Sequence, residues 1–366
     1  MKKIAITEHE IICDNPDSVF RYFAWPTVCR LPNGSLGMVC SGLRRKHVDP
    51  FGKLVMCYSF DEGKTWTRPA LIIDTPLDDR DGGIATFGNG RVIVTTFNES
   101  ISEQRQRLER ATDGDVALKR EYLRLTEAYQ NEIEEKYFGS LYRISDDGGF
   151  TFSPIKKSPV STPHGPIALP SGGLLYVGIR NEDNYDGDLT RHNVYLYKLD
   201  ENDDFAYVGM IENNSENQWW EPYAYALTDE HIIVQIRTHN DPAGLAAVFQ
   251  CETFDGGKTF TEPCRINDHG IPPHIMRHSS GVLVCTYGFR VGEPLGIRAL
   301  FSRDDGKTWS EEYILTDDNP HRDLGYPACV EIEGGKILTV YYQYIRDEKT
   351  SLESAVIKKC VWELPV

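Results

Sequence analysis

A short turn with a fixed pattern of side chains occurs four times along the chain and constrains its fold more than any other feature. Each copy has Ser or Thr first, Asp third, Gly fifth, Thr seventh and an aromatic residue eighth. The hydroxyl and carboxylate can bond to the turn backbone, the glycine tolerates a positive φ angle, and the aromatic ring packs between strands. We call these turns aspartate boxes: SFDEGKTW (59–66), SDDGGFTF (145–152), TFDGGKTF (253–260) and SRDDGKTW (302–309). They predict a repeated β-fold and carry no chemistry themselves.

The boxes lie within a longer repeat of two apolar strands joined by a tight polar turn. Short segments rich in Val, Ile, Tyr and Thr, separated by Gly, Asn and Asp, are typical of an all-β fold. The turn recurs every 51 to 57 residues, with one interval of 83, and each interval suits one four-stranded blade. The six turns are marked by Gly34, Gly90, Gly173, Glu230, Gly281 and Gly335. We therefore predict a six-bladed β-propeller that forms a single domain over residues 1–366.

The long interval contains a segment of different composition, residues 100–137. Leu, Ala, Glu, Arg and Lys dominate it and proline is absent, which predicts a helical insertion within the second blade. Its apolar residues suggest one face that packs against something. A lid over the pocket, a contact that forms a homo-oligomer, and a helix resting on its own blade all remain open.

Charge narrows the range of partners. The formal net charge is −16 and the isoelectric point is about 5.1, so the chain repels phosphate backbones and anionic lipid surfaces. We expect neither nucleic acid nor a membrane as a partner, and no apolar run is long enough for a membrane span. The same field opposes an anionic substrate, so an acidic sugar requires a local cluster of arginines.

Compartment and cofactors follow from the N-terminus and the cysteines. The opening segment MKKIAITEHEIICDNPDS lacks the apolar run of a signal peptide, and the nine cysteines include no CxxC pair. These features favour a cytoplasmic protein with reduced thiols. Because no HxxxH or similar pattern is present, we expect neither a metal nor another cofactor.

A ring of reactive side chains is expected where the innermost strands begin. In a propeller these strands start around one central depression. Counting back nine residues from each turn marker, or seven in the fifth blade, places five polar or reactive residues and one tryptophan there. The six positions are Trp25, Asp81, His164, Glu221, His274 and Tyr326. Such residues are uncommon at random strand starts, so the ring predicts a substrate pocket.

Arginines cluster at the same end of the predicted blades. The returning strands end near Arg44 with His47, near Arg237, and near Arg290 with Arg298, while Arg80 precedes the ring residue Asp81. A single arginine at a strand end is usually solvated or paired with a surface acid. Several that converge on one mouth instead indicate substrate binding.

The boxes, the repeat and the ring together resemble the sialidase superfamily of glycoside hydrolases over essentially the whole length, in a divergent subgroup of BNR-repeat proteins. In that superfamily a tyrosine activated by a glutamate attacks the anomeric carbon, and an aspartate is the acid and base. The resemblance implies that Tyr326 is the nucleophile, Glu221 its base and Asp49 the acid/base. A neutral tyrosine suits an anionic sugar, because a carboxylate nucleophile would be repelled.

The arginine pattern of the superfamily is matched only in part. Three arginines hold the sugar carboxylate there, and the resemblance implies Arg237 as the second and Arg290 or Arg298 as the third. The first is missing, because Ala24 stands in its place within the segment Phe23–Pro26. Three other arginines are candidates to replace it: Arg21, Arg44 and Arg80.

Three functions remain open at this point. We expect a glycosidase that removes an acidic or otherwise polar sugar from the non-reducing end of a carbohydrate. A second enzyme class would use a pair among Asp49, Asp81 and Glu221 for hydrolysis, or His164 with Tyr326 for β-elimination on a uronate. A carbohydrate-binding propeller without activity is the third, because folds are shared more widely than functions.

Overall fold

The protein is described by a computed structural model that covers residues 2–109, 116–180, 192–239, 246–346 and 353–365. Its strands form five sheets, three of which have four antiparallel strands in chain order. The first contains β7 (Arg80–Phe87), β8 (Arg91–Phe97), β9 (Ser140–Ser145) and β10 (Lys156–Ser158). The second contains β11 (Ile167–Ala168), β12 (Leu174–Gly178), β13 (Val194–Leu199) and β14 (Phe205–Ile211). The third contains β15 (Gln218–Ala226), β16 (Ile232–His239), β17 (Val248–Thr253) and β18 (Cys264–Asn267).

The other two sheets are larger because distant parts of the chain join them. The five-stranded sheet contains β19 (Ile271–Arg277), β20 (Leu283–Phe289), β21 (Gly296–Ser302), β22 (Tyr313–Ile314) and the N-terminal β1 (Lys2–Lys3). The eight-stranded sheet contains β2 (Ile6–Cys13), β3 (Tyr22–Arg30), β4 (Leu36–Arg44), β5 (Lys53–Ser59), β6 (Ala70–Ile73), β23 (Leu324–Ile332), β24 (Lys336–Arg346) and β25 (Glu353–Trp362). A 3-10 helix, Glu333–Gly335, connects β23 to β24.

The prediction of six separate blades is wrong, because the described strands form five sheets rather than six. Parallel pairing of Ala355 in β25 with Tyr22 in β3 joins the last repeat unit to the first, which gives one eight-stranded sheet. The innermost strands are β3, β7, β11, β15, β19 and β23; they contact one another in this order, and β23 contacts β3. This closed ring confirms an all-β propeller and surrounds a central channel.

The aspartate boxes have the hydrogen bonds expected from their composition. In the first box Ser59 Oγ donates to Asp61 at 2.9 Å and accepts the backbone N–H of Gly63 at 2.8 Å. Asp61 also accepts the backbone N–H of Thr65 at 2.8 Å and its hydroxyl at 2.6 Å. The same four bonds recur in the boxes that begin at Ser145, Thr253 and Ser302. Each box therefore closes its turn and fixes the hairpin beside it.

Among the described residues between β8 and β9 there are three helices: α1 (Ile101–Glu109), α2 (Val116–Glu127) and α3 (Gln130–Tyr137). Residues 110–115 of the insertion expected at 100–137 lie outside the described residues. Leu108 and Leu123 are buried in one cluster with Leu77, and the ring of Tyr122 lies 5.0 Å from that of Phe51. These helices thus pack on loops of the first two repeat units, while their role as a lid or an oligomer contact stays a prediction. No helix among the described residues is long and apolar enough to cross a membrane.

Candidate active site

Four residues of the predicted ring share an unusual backbone conformation. Each lies near the start of an innermost strand at a positive φ: Trp25 (56°), Asp81 (53°), Glu221 (45°) and Tyr326 (49°). The pairing of each innermost strand with its neighbour is interrupted by a register shift at this position. A non-glycine residue in this conformation costs about 1–3 kcal/mol and persists where the surroundings hold it, commonly at functional sites. The bulges release these four side chains from the sheets.

Tyr326 and Glu221 come from different strands and meet in the channel. The hydroxyl of Tyr326 in β23 donates a hydrogen bond of 2.5 Å to Oε1 of Glu221 in β15. Oε2 of Glu221 accepts a bond from Nη1 of Arg237 in β16, and this nitrogen lies 3.4 Å from the tyrosine oxygen. The residues that the resemblance implies as nucleophile, base and second arginine therefore contact one another, and their catalytic roles stay predictions.

Electrostatics keep the tyrosine in its neutral form. Burial, together with the charge of Glu221, holds the pKa of the Tyr326 hydroxyl well above its ordinary value. The guanidinium of Arg290 lies 5.5 Å from the centre of the Tyr326 ring, and its Nη2 donates to the hydroxyl of Tyr342 at 3.0 Å. Deprotonation of Tyr326 thus requires an acceptor that takes the proton directly, and Glu221 is in contact with it.

Asp81 adds a second carboxyl group beside Glu221. Both residues line a cavity of about 90 Å³, together with Phe97 and Trp220. Burial raises the pKa of Asp81 to about 7, and the nearby charge of Glu221 contributes to the same shift. A carboxyl group with this pKa can give up a proton and take it back near neutral pH.

Asp323 organises the rim of the site, although the sequence did not single it out as a site residue. It accepts hydrogen bonds from the hydroxyls of Tyr22 and Tyr342, the latter at 2.6 Å, and lies 3.0 Å from Nδ1 of His47. Burial opposes ionisation, but these bonds outweigh it and hold the pKa of the Asp323 carboxyl well below its ordinary value. The ring of Trp25 packs 5.0 Å from that of His47. Asp323 therefore fixes the positions of the side chains around Trp25 through its bonds to them.

Two arginines that were predicted to bind substrate, Arg44 and Arg80, are paired with buried acids instead. Arg44 forms a fully buried ion pair with Asp78 at 2.6 Å, and its guanidinium lies 4.9 Å from the Trp25 ring. Arg80 forms ion pairs with Glu99 and, at 3.6 Å, with Asp78. The two arginines are therefore held by buried acids next to Trp25 and Asp81. Neither takes the place of the arginine missing at Ala24.

The structure does not bring Asp49 into the group. Its carboxylate is fully buried and accepts the backbone N–H groups of Arg45 at 2.9 Å and Phe51 at 3.0 Å. These bonds close the loop that follows β4, which leaves no exposed oxygen for acid catalysis. The expectation that Asp49 is the acid/base therefore does not fit the geometry.

Arg298 is bonded to loop backbone, whereas the alternative residue Arg290 lies beside Tyr326. The guanidinium of Arg298 is fully buried and donates to the carbonyl oxygens of Thr316 at 2.8 Å and Pro294 at 2.6 Å. It anchors the loop after β20 rather than a ligand. The sequence could not separate these two arginines, because both lie near the same strand end.

Two predicted histidines close the channel. The rings of His164 and His274 lie 5.1 Å apart, and His274 stacks on Tyr223 at 4.8 Å. Nδ1 of His164 lies 3.1 Å from Oγ1 of Thr27, across the ring of strands. Burial lowers the pKa of His274 to about 3 and that of His164 well below its ordinary value. These neutral side chains fill the channel beside Tyr326. The ring centres of His164 and Tyr326 lie 6.5 Å apart.

Solved structures of the same architecture cover almost the whole chain. A protein of unknown function from Dyadobacter fermentans matches with a TM-score of 0.76 at 20% identity, and all of both chains is covered. An intramolecular trans-sialidase from Ruminococcus gnavus matches with a TM-score of 0.66 at 14% identity, with 98% of each chain covered. An α-L-arabinofuranosidase from Fusarium graminearum matches with a TM-score of 0.61 at 11% identity, again with 98% of each covered. The fold is thus a sialidase-like β-propeller.

The family is established from the sequence as well. A family model described as a BNR repeat-like domain matches residues 123–339. The chain belongs to this family, as a sialidase-like member of the BNR superfamily. No curated protein matches the chain in sequence.

Proposed function

We propose that the protein is a glycosidase that cleaves a terminal sugar from a carbohydrate by two successive displacements on the anomeric carbon. The observation that carries the proposal is the 2.5 Å hydrogen bond from Tyr326 to Glu221 within the channel. A buried, neutral hydroxyl in contact with a carboxylate has the geometry of a nucleophile and its base.

In the first displacement the oxygen of Tyr326 bonds to the anomeric carbon while its proton passes to Oε1 of Glu221. The bond from that carbon to the leaving oxygen breaks, and Asp81 in its acid form donates a proton to this oxygen. Arg237 contacts both Glu221 and Tyr326, so it stabilises negative charge that develops on the phenol oxygen. The product is a sugar bonded to Tyr326.

In the second displacement water replaces the tyrosine. The Asp81 carboxylate takes a proton from the attacking water, and Glu221 returns its proton to the departing tyrosine oxygen. Two displacements on one carbon leave its configuration unchanged, so the proposal includes retention. Asp81 thus takes the role that the resemblance gave to Asp49, because Asp81 lines the cavity and Asp49 is bonded into a loop.

The filled channel supports action on terminal sugars. His164, His274 and Tyr223 pack against one another beside Tyr326, so a carbohydrate chain cannot thread through the ring of strands. A sugar then enters from one end with its non-reducing terminus first. The fold is compatible with different sugars, because its structural neighbours include a trans-sialidase and an arabinofuranosidase.

A panel of fluorogenic aryl glycosides, including a sialoside, tests the proposal. We expect one of them to be hydrolysed with retention, and Tyr326→Phe to abolish this hydrolysis while the fold is kept. Full activity in Tyr326→Phe would sink the assignment. Release of an unsaturated uronate, detected by its ultraviolet absorbance, would instead establish a lyase. Sugar binding without turnover would establish a carbohydrate-binding propeller.

A further inference from the structure

The positive charges nearest the reacting tyrosine are already engaged by the protein. Arg237 is paired with Glu221. Arg290 donates to the carbonyl oxygen of Leu324 through Nε at 2.8 Å and to Tyr342, whose hydroxyl in turn bonds to Asp323. Arg237 and Arg290 therefore each have an acidic partner, directly or through one hydroxyl.

Two further arginines near the site, Arg44 and Arg80, are paired with buried acids. Arg44 is matched by Asp78, and Arg80 by Glu99, in pairs that are at most 10% exposed. Breaking a buried pair to reach a ligand would leave a carboxylate uncompensated, which is strongly unfavourable. These two arginines are therefore unable to turn toward a sugar carboxylate.

Among the described residues that form the site, acids balance or exceed the arginines. Three acids, Asp81, Glu221 and Asp323, stand against two arginines, Arg237 and Arg290. The net charge of these five side chains is zero when Asp81 is protonated and −1 when Asp81 is ionised. The whole chain carries −16. An anionic sugar would be desolvated here without a matching charge, which is costly.

The wall beside Tyr326 is aromatic, and the cavity that its partner Glu221 lines together with Asp81 is small. The rings of Trp25 and Tyr342 lie 6.4 Å and 6.0 Å from that of Tyr326, and Ala24 beside Trp25 is fully buried and offers no donor. The cavity at Asp81 and Glu221 has a volume of about 90 Å³. Such a wall suits the apolar face of one small sugar ring and supplies no charge to a substituent on the attacked carbon.

From these observations we infer that the sugar attacked by Tyr326 is a small neutral aldose, whose anomeric carbon carries hydrogen rather than a carboxylate. This inference rests on the proposed glycosidase function and departs from the acidic sugar expected from the sequence. A tyrosine nucleophile remains consistent with it. A carboxylate at position 326 would stand beside Glu221 and Asp81, so the charge of the pocket itself favours a neutral nucleophile.

The test compares pairs of aryl glycosides that share one ring configuration and differ only in charge. Glucoside with glucuronide and galactoside with galacturonide are two such pairs, and a sialoside, an arabinofuranoside and a fucoside complete the panel. The full chain and its Tyr326→Phe variant are assayed with each substrate. Binding of the free sugars to both proteins is measured by calorimetry.

We expect kcat/KM for a neutral substrate to exceed that of its charged partner, and of the sialoside, by about 100-fold or more. Turnover that prefers a sialoside or a uronide, and that Tyr326→Phe abolishes, would overturn the neutral-sugar inference and keep the glycosidase. Neutral sugars that bind without turnover would show a pocket selective for neutral sugars, but would remove the glycosidase and with it the attack by Tyr326. A chain that neither cleaves nor binds a neutral sugar contradicts both.

Discussion

The hydroxyl of Tyr326 lies 2.5 Å from Oε1 of Glu221, although 105 positions separate the two residues in the chain. Both occupy the left-handed region of backbone conformation at a bulge of an innermost strand. Two strained positions are thus used to bring one hydroxyl to one carboxylate. Asp81 and Trp25 have the same backbone conformation at bulges of two other innermost strands.

Tyr326→Phe should remove the nucleophile and little else. The ring stays packed against Trp25, and Glu221 keeps its bond to Arg237, so the fold should persist. We expect kcat to fall by about 1,000-fold or more, with a melting temperature close to that of the unaltered protein. Steady-state kinetics with the best aryl glycoside and thermal unfolding check this result. A variant that lost activity because it was unfolded would leave the role of the hydroxyl unsupported.

Glu221→Gln should cost both activity and stability. The substitution removes the acceptor of the tyrosine proton and leaves the guanidinium of Arg237 without its carboxylate in a site where both side chains are mostly buried. Breaking such a pair typically costs about 3 kcal/mol. Urea unfolding measures the loss. The matched control is Glu121→Gln, which removes the exposed pair with Arg124 and should leave the unfolding midpoint unchanged.

Asp81 should set the alkaline limit of activity. Its pKa of about 7 means that the proton needed by the leaving group is present below this pH and lost above it, so kcat/KM should fall as pH rises through about 7. Asp81→Asn should remove this limb and slow substrates with poor leaving groups far more than activated ones. Asp49→Asn is the control, because Asp49 bonds loop backbone. An alkaline limb that moves with Asp49 rather than Asp81 would reverse our assignment.

The closed channel should make the protein sensitive to acid. The pKa of His274 falls from its ordinary value near 6.5 to about 3, so the unfolded chain binds more protons than the folded one between these values. The free energy of unfolding should therefore decrease as pH falls below about 6.5, by up to about 1.4 kcal/mol per pH unit for this histidine. Asp81 contributes with the opposite sign, because its folded pKa is raised and its stabilisation is lost as pH rises through about 7.

A variant without the imidazole isolates this effect. His274→Phe keeps a ring against Tyr223 and has nothing to titrate. From pH 6.5 to pH 5 the unaltered protein should lose about 1.6 kcal/mol more unfolding free energy than the variant. Equal losses in urea unfolding at the two pH values would show that His274 does not carry the acid sensitivity.

The ring residues were predictable from the sequence for a simple geometric reason. The innermost strands β3 and β23 begin at nearly the same distance from their hairpin turns, so counting back from Gly34 or Gly335 reached Trp25 and Tyr326. The positive φ angles were not visible in the sequence, because the residues there are not glycines. They depend on the neighbouring blades that hold each bulge.

Roles that depend on partners distant in the chain could not be predicted. Asp49 and Arg298 have the right residue types near the right strand ends, but their polar atoms are bonded to loop backbone. Asp323 lies three positions before Tyr326, and only the structure shows its bonds to Tyr22 and Tyr342. The joining of the first and last repeat units likewise depends on one pairing between Ala355 and Tyr22.

The central claim is that Tyr326 forms a covalent bond with the sugar, and mass spectrometry can test it directly. The protein is incubated with a glycosyl fluoride of its preferred sugar that carries a second fluorine next to the anomeric carbon, which slows the second displacement. We expect the intact mass to increase by one sugar, and peptide fragmentation to locate the adduct on Tyr326. An adduct on Asp81 or Glu221, or hydrolysis that proceeds with inversion and without any adduct, would contradict the account.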